Sequence, residues 1–415
     1  MAAKWKTKNK KLNPAFILNR YEKVITVLPD GKISYGLEKF ELDTLLFTMI
    51  DFGGLYRTHN AQDFMSSALE ACAIEKDFSK DFFIKSLNVE VRKHLSVPEI
   101  EYVLSSSVSI SKSLPIQNIE INGARVVSCG GDFPEEFRTR EVFYPHWDFK
   151  DPPFSEDHCA VLVFVRNKHW ADAFEQALDA LDLVRGIFCL HFNPDSQISF
   201  SGRMGAQAEN KLALGGMHCL HNADGSLAVV NNYWFERGYV KTKAFATSDK
   251  NMEAAVEKFK YISGCLAKHK DGVLLRQSIL RYVRALDNSD KNSTVLQLWT
   301  TLENLAGRND AGADGIVERC SFIMGDREYH RQALEHLRQY RNENMHAGVS
   351  LERPDWHCLQ LQRYFRYLIY FYLSDMENFP QIDDANRFLD LSDKKEKLLK
   401  EIDIRNKALD FLNLN

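Results

Sequence analysis

The chain lacks any C-x-x-C pair, although it holds 8 cysteines. They are scattered and mostly flanked by apolar residues, the pattern of reduced, buried thiols rather than of a disulfide frame. Long hydrophobic runs are also missing. The longest, "CAVLVFV" from Cys159, is about a third of the ~20 residues that a membrane-crossing helix needs. The opening "MAAKWKTKNKKLNPAFILNRY" is basic but no apolar segment follows it, so no secretory signal is expected and a cytoplasmic protein is. Nor is there an excess of one charge. At a formal net charge of −4, the totals offer no general attraction to nucleic acid or membrane, and a basic site has to be a local patch. No G-K-[ST] follows the glycines of "SGRMGAQAENKLALGGMH", which excludes a Walker phosphate loop, and no G-x-S-x-G elbow occurs. Internal repeats and low-complexity runs are absent.

What is present divides unevenly. A chain of 415 residues, 45% hydrophobic and 27% charged, is globular and too long for one ordinary core. All but two of its 11 prolines (Pro354 and Pro380) and 14 of its 21 glycines fall in residues 1–250. That half mixes strands with helices. "VITVLPDGKISYG" places Asp30-Gly31 between two β-prone runs, a hairpin signal, and Asn122-Gly123 repeats it. "AVLVFV" reads as a buried strand, and Trp170, Phe174, Ala177, Leu178 and Leu181 then follow at helical spacing. From about Asn251 the pattern turns helical. Ala255, Phe259, Ile262 and Leu266 share one face, as do Val295, Leu298, Trp299, Leu302 and Leu305, with Gly307 as a stop. Short links between such helices imply an antiparallel bundle. The expected class is a multidomain α+β protein: mixed α/β subdomains over 1–125 and 126–250, then an all-α bundle over 251–415.

The candidate site lies in "RNENMHAG", residues 341–348. With Leu334 as the zero of a helical wheel, Leu337 falls at about −60°, Arg341 at about −20° and Met345 at about +20°. Arg341 thus occupies an apolar stripe, where a guanidinium has to find anionic company or reach a solvent-filled cleft. Asn342 and His346 sit one turn apart on a neighbouring face. Together they suit phosphodiester chemistry without a metal. Arginine forks onto phosphate oxygens, histidine exchanges protons near neutral pH, and asparagine orients either. Spacing alone is weak, because Arg331–His336 repeats the interval and Arg140–His146 and Arg185–His191 come within one residue of it. His336 is expected to be catalytically neutral.

"LRYVRALDNSDKNSTVLQLWTTLENLAG" followed by "LEHLRQYRNENMHAG" resembles the HEPN superfamily, specifically its ApeA-like branch. The likeness begins within the helical half and leaves the first 250 residues without a relative. It implies an all-α HEPN bundle, with Arg341-Asn342-x-x-x-His346 as the family's Arg-polar-x-x-x-His motif. It also implies a metal-independent endoribonuclease that needs no cofactor, in which His346 transfers protons and Arg341 holds the phosphate. The products would carry 2′,3′-cyclic phosphate and 5′-hydroxyl ends. Glu303 is placed to orient Arg341, the plain alternative being a solvent-facing glutamate. The implied partners are RNA, with tRNA and other structured RNAs as candidates, a second copy of the chain through the bundle, and a phage-derived trigger, in an abortive-defence role. The aromatic richness of residues 364–372 adds to the expectation of a dimer.

Other clusters rank lower. His146, Asp148, Asp151, Asp157 and His158 could ligate a metal, but prolines interrupt them and a polar loop is the better reading. His218, Cys219 and His221 lack a further ligand and read as a turn before a strand. Two rival functions remain: a non-catalytic HEPN module that binds a nucleotide or partner, and a metal-dependent hydrolase sited in the N-terminal half. Residues 1–250 show no catalytic signature and are assigned to sensing or substrate selection. A fragment beginning near residue 250 is then expected to dimerise and cut RNA by itself.

Overall fold

The computed structural model describes residues 2–6, 11–53, 58–111, 113–138, 157–193, 208–229, 234–236, 239–308, 311–347 and 354–413, without the side chains of 58–60 and 344–347. The chain is mixed α/β, with its sheet in the first half and a run of helices after residue 249.

An N-terminal unit is built from β1 (Lys4–Trp5), α1 (Pro14–Val24), β2 (Ile25–Val27), β3 (Ile33–Tyr35), α2 (Lys39–Met49), β4 (Ile50–Asp51), α3 (Thr58–Glu75) and α4 (Lys80–Ser96). Asn13 caps α1 and Pro14 opens it, where a missing N–H costs nothing. The β2–β3 hairpin turns at Gly31, whose φ of 81° favours glycine. Leu18, Tyr21, Leu46, Met65, Phe83 and Leu87 form this unit's own core.

The main sheet follows: β5 (Ile100–Val108), β6 (Asn118–Ile121), β7 (Ala124–Gly130), β8 (Cys159–Asn167), β9 (Met217–Asn222) and β10 (Trp234–Phe235), with α5 (Trp170–Phe192) between β8 and β9. Its order is β10-β9-β5-β8-β7-β6, antiparallel throughout. The β6–β7 hairpin spans residue 125, so strands from both sides of that position share the sheet. Leu104, Val126, Val161 and Val163 share a core with Ala177, Leu181 and Val184 of α5. A smaller cluster, with Val103, Phe133, Phe137, Ala160 and Leu162, forms a second core. The His218–His221 segment is not a turn before a strand. It is β9 itself, because serine hydroxyls of β5 satisfy both buried imidazoles. Ser106 Oγ lies 2.9 Å from His218 Nδ1, and Ser105 Oγ lies 2.9 Å from His221 Nε2.

The helical part comprises α6 (Asp249–Lys268), α7 (Gly272–Asp287), α8 (Lys291–Ala306), α9 (Gly312–Phe322), α10 (Arg327–Ala347), α11 (Pro354–Ser374), α12 (Ile382–Leu389) and α13 (Lys395–Phe411). The residues expected to face inward on α6 and α8 are buried, and Gly307 caps α8. α13 buries nothing. No helix among the described residues is long and apolar enough to cross a membrane.

The core does not stop at residue 250. α5 is shared between the sheet and the bundle, and Phe188 stacks on Phe259 of α6 with ring centroids 4.7 Å apart. Gly186 lets α5 approach α7 so closely that a Cβ there would meet Ile279 at 2.6 Å. Beside it Arg185, fully buried, reaches Asp182 at 2.6 Å, Asp287 at 2.7 Å and the carbonyl of Leu212 at 2.8 Å.

Arg185→Ala takes from Asp287 its arginine and from Asp182 one of the two that hold it, and is expected to lower stability by about 3–5 kcal/mol, measured by urea denaturation. A fragment beginning near residue 250 loses α5 and uncovers Phe259, Ile279 and Tyr282. Contrary to the expectation from sequence, it should fail to fold, giving no cooperative transition by circular dichroism.

Candidate active site

α10 runs antiparallel to α11 and packs chiefly on α8 and α9. Leu334, Leu337 and Tyr340 are its buried side, and the Tyr340 hydroxyl donates to Asn292 at the start of α8 over 2.8 Å. Arg341 is next in line. It is part-exposed, and its Nη2 lies 3.6 Å from Glu303 Oε2 of α8. Its Nη1 donates to the Asn342 side-chain oxygen over 3.0 Å. The structure therefore brings Arg341, Asn342 and Glu303 together. The backbone of α10 continues through residue 346, but the His346 side chain lies outside the described residues.

Glu303 owes its position to the end of α8. Arg319 of α9, 3% exposed, donates to the carbonyls of Ala306 and Arg308 and forks onto Asp390, the C-cap of α12, at 2.7 and 2.8 Å. That fork pins the last turn of α8, one turn beyond Glu303, to two other helices. The sequence reading missed Arg319. The signal was available, since it sits among Ile316, Val317 and Cys320, the same arginine-in-an-apolar-stripe pattern that singled out Arg341.

On its outer side, α10 carries a cleft of about 440 Å³ whose walls include His336, Gln339, Asn342 and Glu343. His336 is exposed there, with its ring 5.2 Å from that of His357. Burial first, and the neighbouring His336 less strongly, hold the His357 imidazole below its usual pKa, while a bond to Gln360 opposes them. His336 therefore borders the same opening as Asn342 and cannot serve as a neutral control, despite its place in the repeated interval. Arg331 can, being paired at 2.9 Å with Glu328 within its own helix.

Of the proposed metal ligands, His146, Asp148 and Asp151 lie outside the described residues, as does Arg140. His158 is buried with its Nε2 2.8 Å from the Thr242 carbonyl. Among the described residues no cluster of three histidine, cysteine or acidic side chains could hold a metal. One unforeseen relay occurs in the sheet: Ser106 to His218, and His218 Nε2 to Glu236 Oε1 at 3.2 Å. The hydrogen bond from His218 holds the Glu236 carboxyl below its ordinary range. Its order is that of an activated serine, yet Ser106 is fully buried in the sheet, where no substrate reaches it. Its effect is to tie β5, β9 and the residue after β10 together.

No family model, curated protein or solved structure matches the chain.

Proposed function

We propose that the protein is a metal-independent endoribonuclease of the HEPN type, acting as a homodimer in abortive antiphage defence. The observation that carries this reading is the state of Arg341. Arg185 and Arg319 engage carboxylates at hydrogen-bond distance inside the molecule. Arg341, on the same kind of stripe, has among the described residues one carboxylate at 3.6 Å and one amide oxygen, which do not engage all five of its N–H groups. Glu303 limits its rotation without occupying its fork, the condition for receiving a phosphate.

In the proposed reaction the ribose 2′-hydroxyl attacks the adjacent phosphorus and the bond to O5′ breaks. The 2′ proton is removed and a proton is delivered to O5′, with His346 in proton transfer and Arg341 neutralising the phosphorane-like charge. Five residues of helix separate Arg341 from His346 by about 140°, so one helix does not aim both at one point. A second protomer presenting the same motif resolves this. Three of the aromatic residues counted toward a dimer are turned inward. Tyr364, Phe365 and Tyr372 are buried in the chain's own core.

Incubation with RNA in excess EDTA should yield fragments with cyclic-phosphate ends; a strict requirement for added divalent metal would sink the mechanism. Arg341→Ala should cost ~10²–10³-fold and His346→Ala ~10²–10⁴-fold in rate, with Glu303→Ala milder and Arg331→Ala without effect. Glu303→Ala should change stability by less than ~1 kcal/mol, because its ion pair is part-exposed. Light scattering should give a mass near twice 47.8 kDa, and a monomer active at full rate would refute the shared site.

A further inference from the structure

The inner stripe of α11, with Leu361, Phe365, Leu368 and Tyr372, is buried. The opposite side carries Trp356, Arg363, Arg366, Tyr367 and Tyr370, which fall within about 100° of one another on the helical wheel. Tyr367 is 45% exposed, while Trp356 and Tyr370 pack partly against the core. The stripe widens across neighbouring helices. Lys258 of α6, exposed, stands 5.7 Å above the Tyr370 ring, and Tyr261 of α6, 51% exposed, donates its hydroxyl to the Leu373 carbonyl. Arg366 is aimed by its bond to the Asn193 carbonyl at 2.8 Å, and Tyr370 by its bond to the Leu190 carbonyl. Arg363 lies against His330 of α10 at 3.3 Å, beside the exposed ring of Tyr329. Among the described residues, no carboxylate is ion-paired with Lys258 or Arg363. Burial first, then Lys258 and Arg366, lower the His191 pKa against the bond to the Asn251 side-chain oxygen, as expected where positive charge gathers. The stripe also begins where the candidate site ends, since His357 in the first turn of α11 lies 4.2 Å, ring to ring, from Tyr340, the residue before Arg341.

Arg363 and Lys258 set among the exposed rings of Tyr329, Tyr367 and Tyr261 suit one class of ligand. A single-stranded nucleic acid offers a phosphate for each cation and an unpaired base for each ring, whereas a duplex hides its base faces. A protein partner would be expected to meet a more apolar centre. We infer that the Trp356–Tyr370 face of α11, with Lys258 and Tyr261 of α6, is a track that grips single-stranded RNA leading to the Arg341 end of α10. The inference deepens the ribonuclease reading and rests on it for the identity of the strand, but not for the existence of the track.

Binding of the full chain to a short fluorescein-labelled 2′-O-methyl oligouridylate, which has no 2′-hydroxyl to attack, separates grip from cleavage. Tyr367→Ala should weaken binding by roughly 5- to 100-fold and Tyr367→Phe should restore it, since stacking needs the ring and not the hydroxyl. Arg363→Gln with Lys258→Gln should weaken binding further and reduce the slope of log affinity against log salt by about 0.7 for each cation removed. Melting by circular dichroism should be unchanged in all of these surface variants. Cleavage of RNA by wild type with oligomer binding indifferent to these substitutions overturns the track and leaves the ribonuclease reading standing. Oligomer binding that falls in the variants, with no cleavage of any RNA, upholds the track and overturns the ribonuclease. Tighter binding of a duplex than of the single strand, or no binding of either, overturns the track.

Discussion

A fully buried guanidinium holds this molecule together. Arg185 has five N–H donors, and its bonds to Asp182, Asp287 and the Leu212 carbonyl engage all of them. Burial alone would raise the Asp182 carboxyl, but Arg185 and Arg284 outweigh it and hold that group below the ordinary carboxylate range. Asn210 completes the network through Asp287 and the Val283 carbonyl. An unpaired charge at this depth would be very costly, so α5, α7 and the segment before β9 have to assemble together or not at all. The sheet and the helices consequently share one body, and α10 is held by a core that extends back to the strands.

The arginines at 185, 319 and 341 show how one local pattern leads to different ends. Each interrupts an apolar helical stripe. Arg185 lies where two helices and a loop close over it, and Arg319 where a helix terminus supplies carbonyls and Asp390 supplies a carboxylate. Both act as internal struts. Arg341 lies near the end of α10, part-exposed, with Glu303 and Asn342 as its partners among the described residues. Depth decides whether such an arginine is closed in by partners or reaches the surface.

The same division runs through the polar groups of the sheet. His218 and His221 occupy a strand interior because Ser105 and Ser106 receive them, and Glu236 or the Gly225 carbonyl takes the second ring nitrogen. A residue set that resembles chemistry in the sequence is here a satisfied interior. Conversely α11, rich in aromatics, buries its inner face and leaves Tyr367 of its outer face exposed.

Much of this was legible in the sequence. Periodicity marked the inward residues of α5, α6 and α8, Asp30-Gly31 and Asn122-Gly123 marked two hairpins, and Gly307 marked the end of α8. These signals are local, since the backbone preferences and spacing that encode them lie within a few residues. The stripe arithmetic also singled out Arg341 as unusual and placed Glu303 beside the apolar face of α8. What the sequence could not supply was anything depending on partners distant along the chain. That Asp287 answers Arg185, that Asp390 answers Arg319, and that α5 belongs to both sheet and bundle depend on contacts across tens of residues. A helical wheel assigns each side chain a direction. Only the packed neighbours decide whether that direction ends in a carboxylate, a carbonyl or open solvent, because burial and charge compensation are properties of the assembled interior.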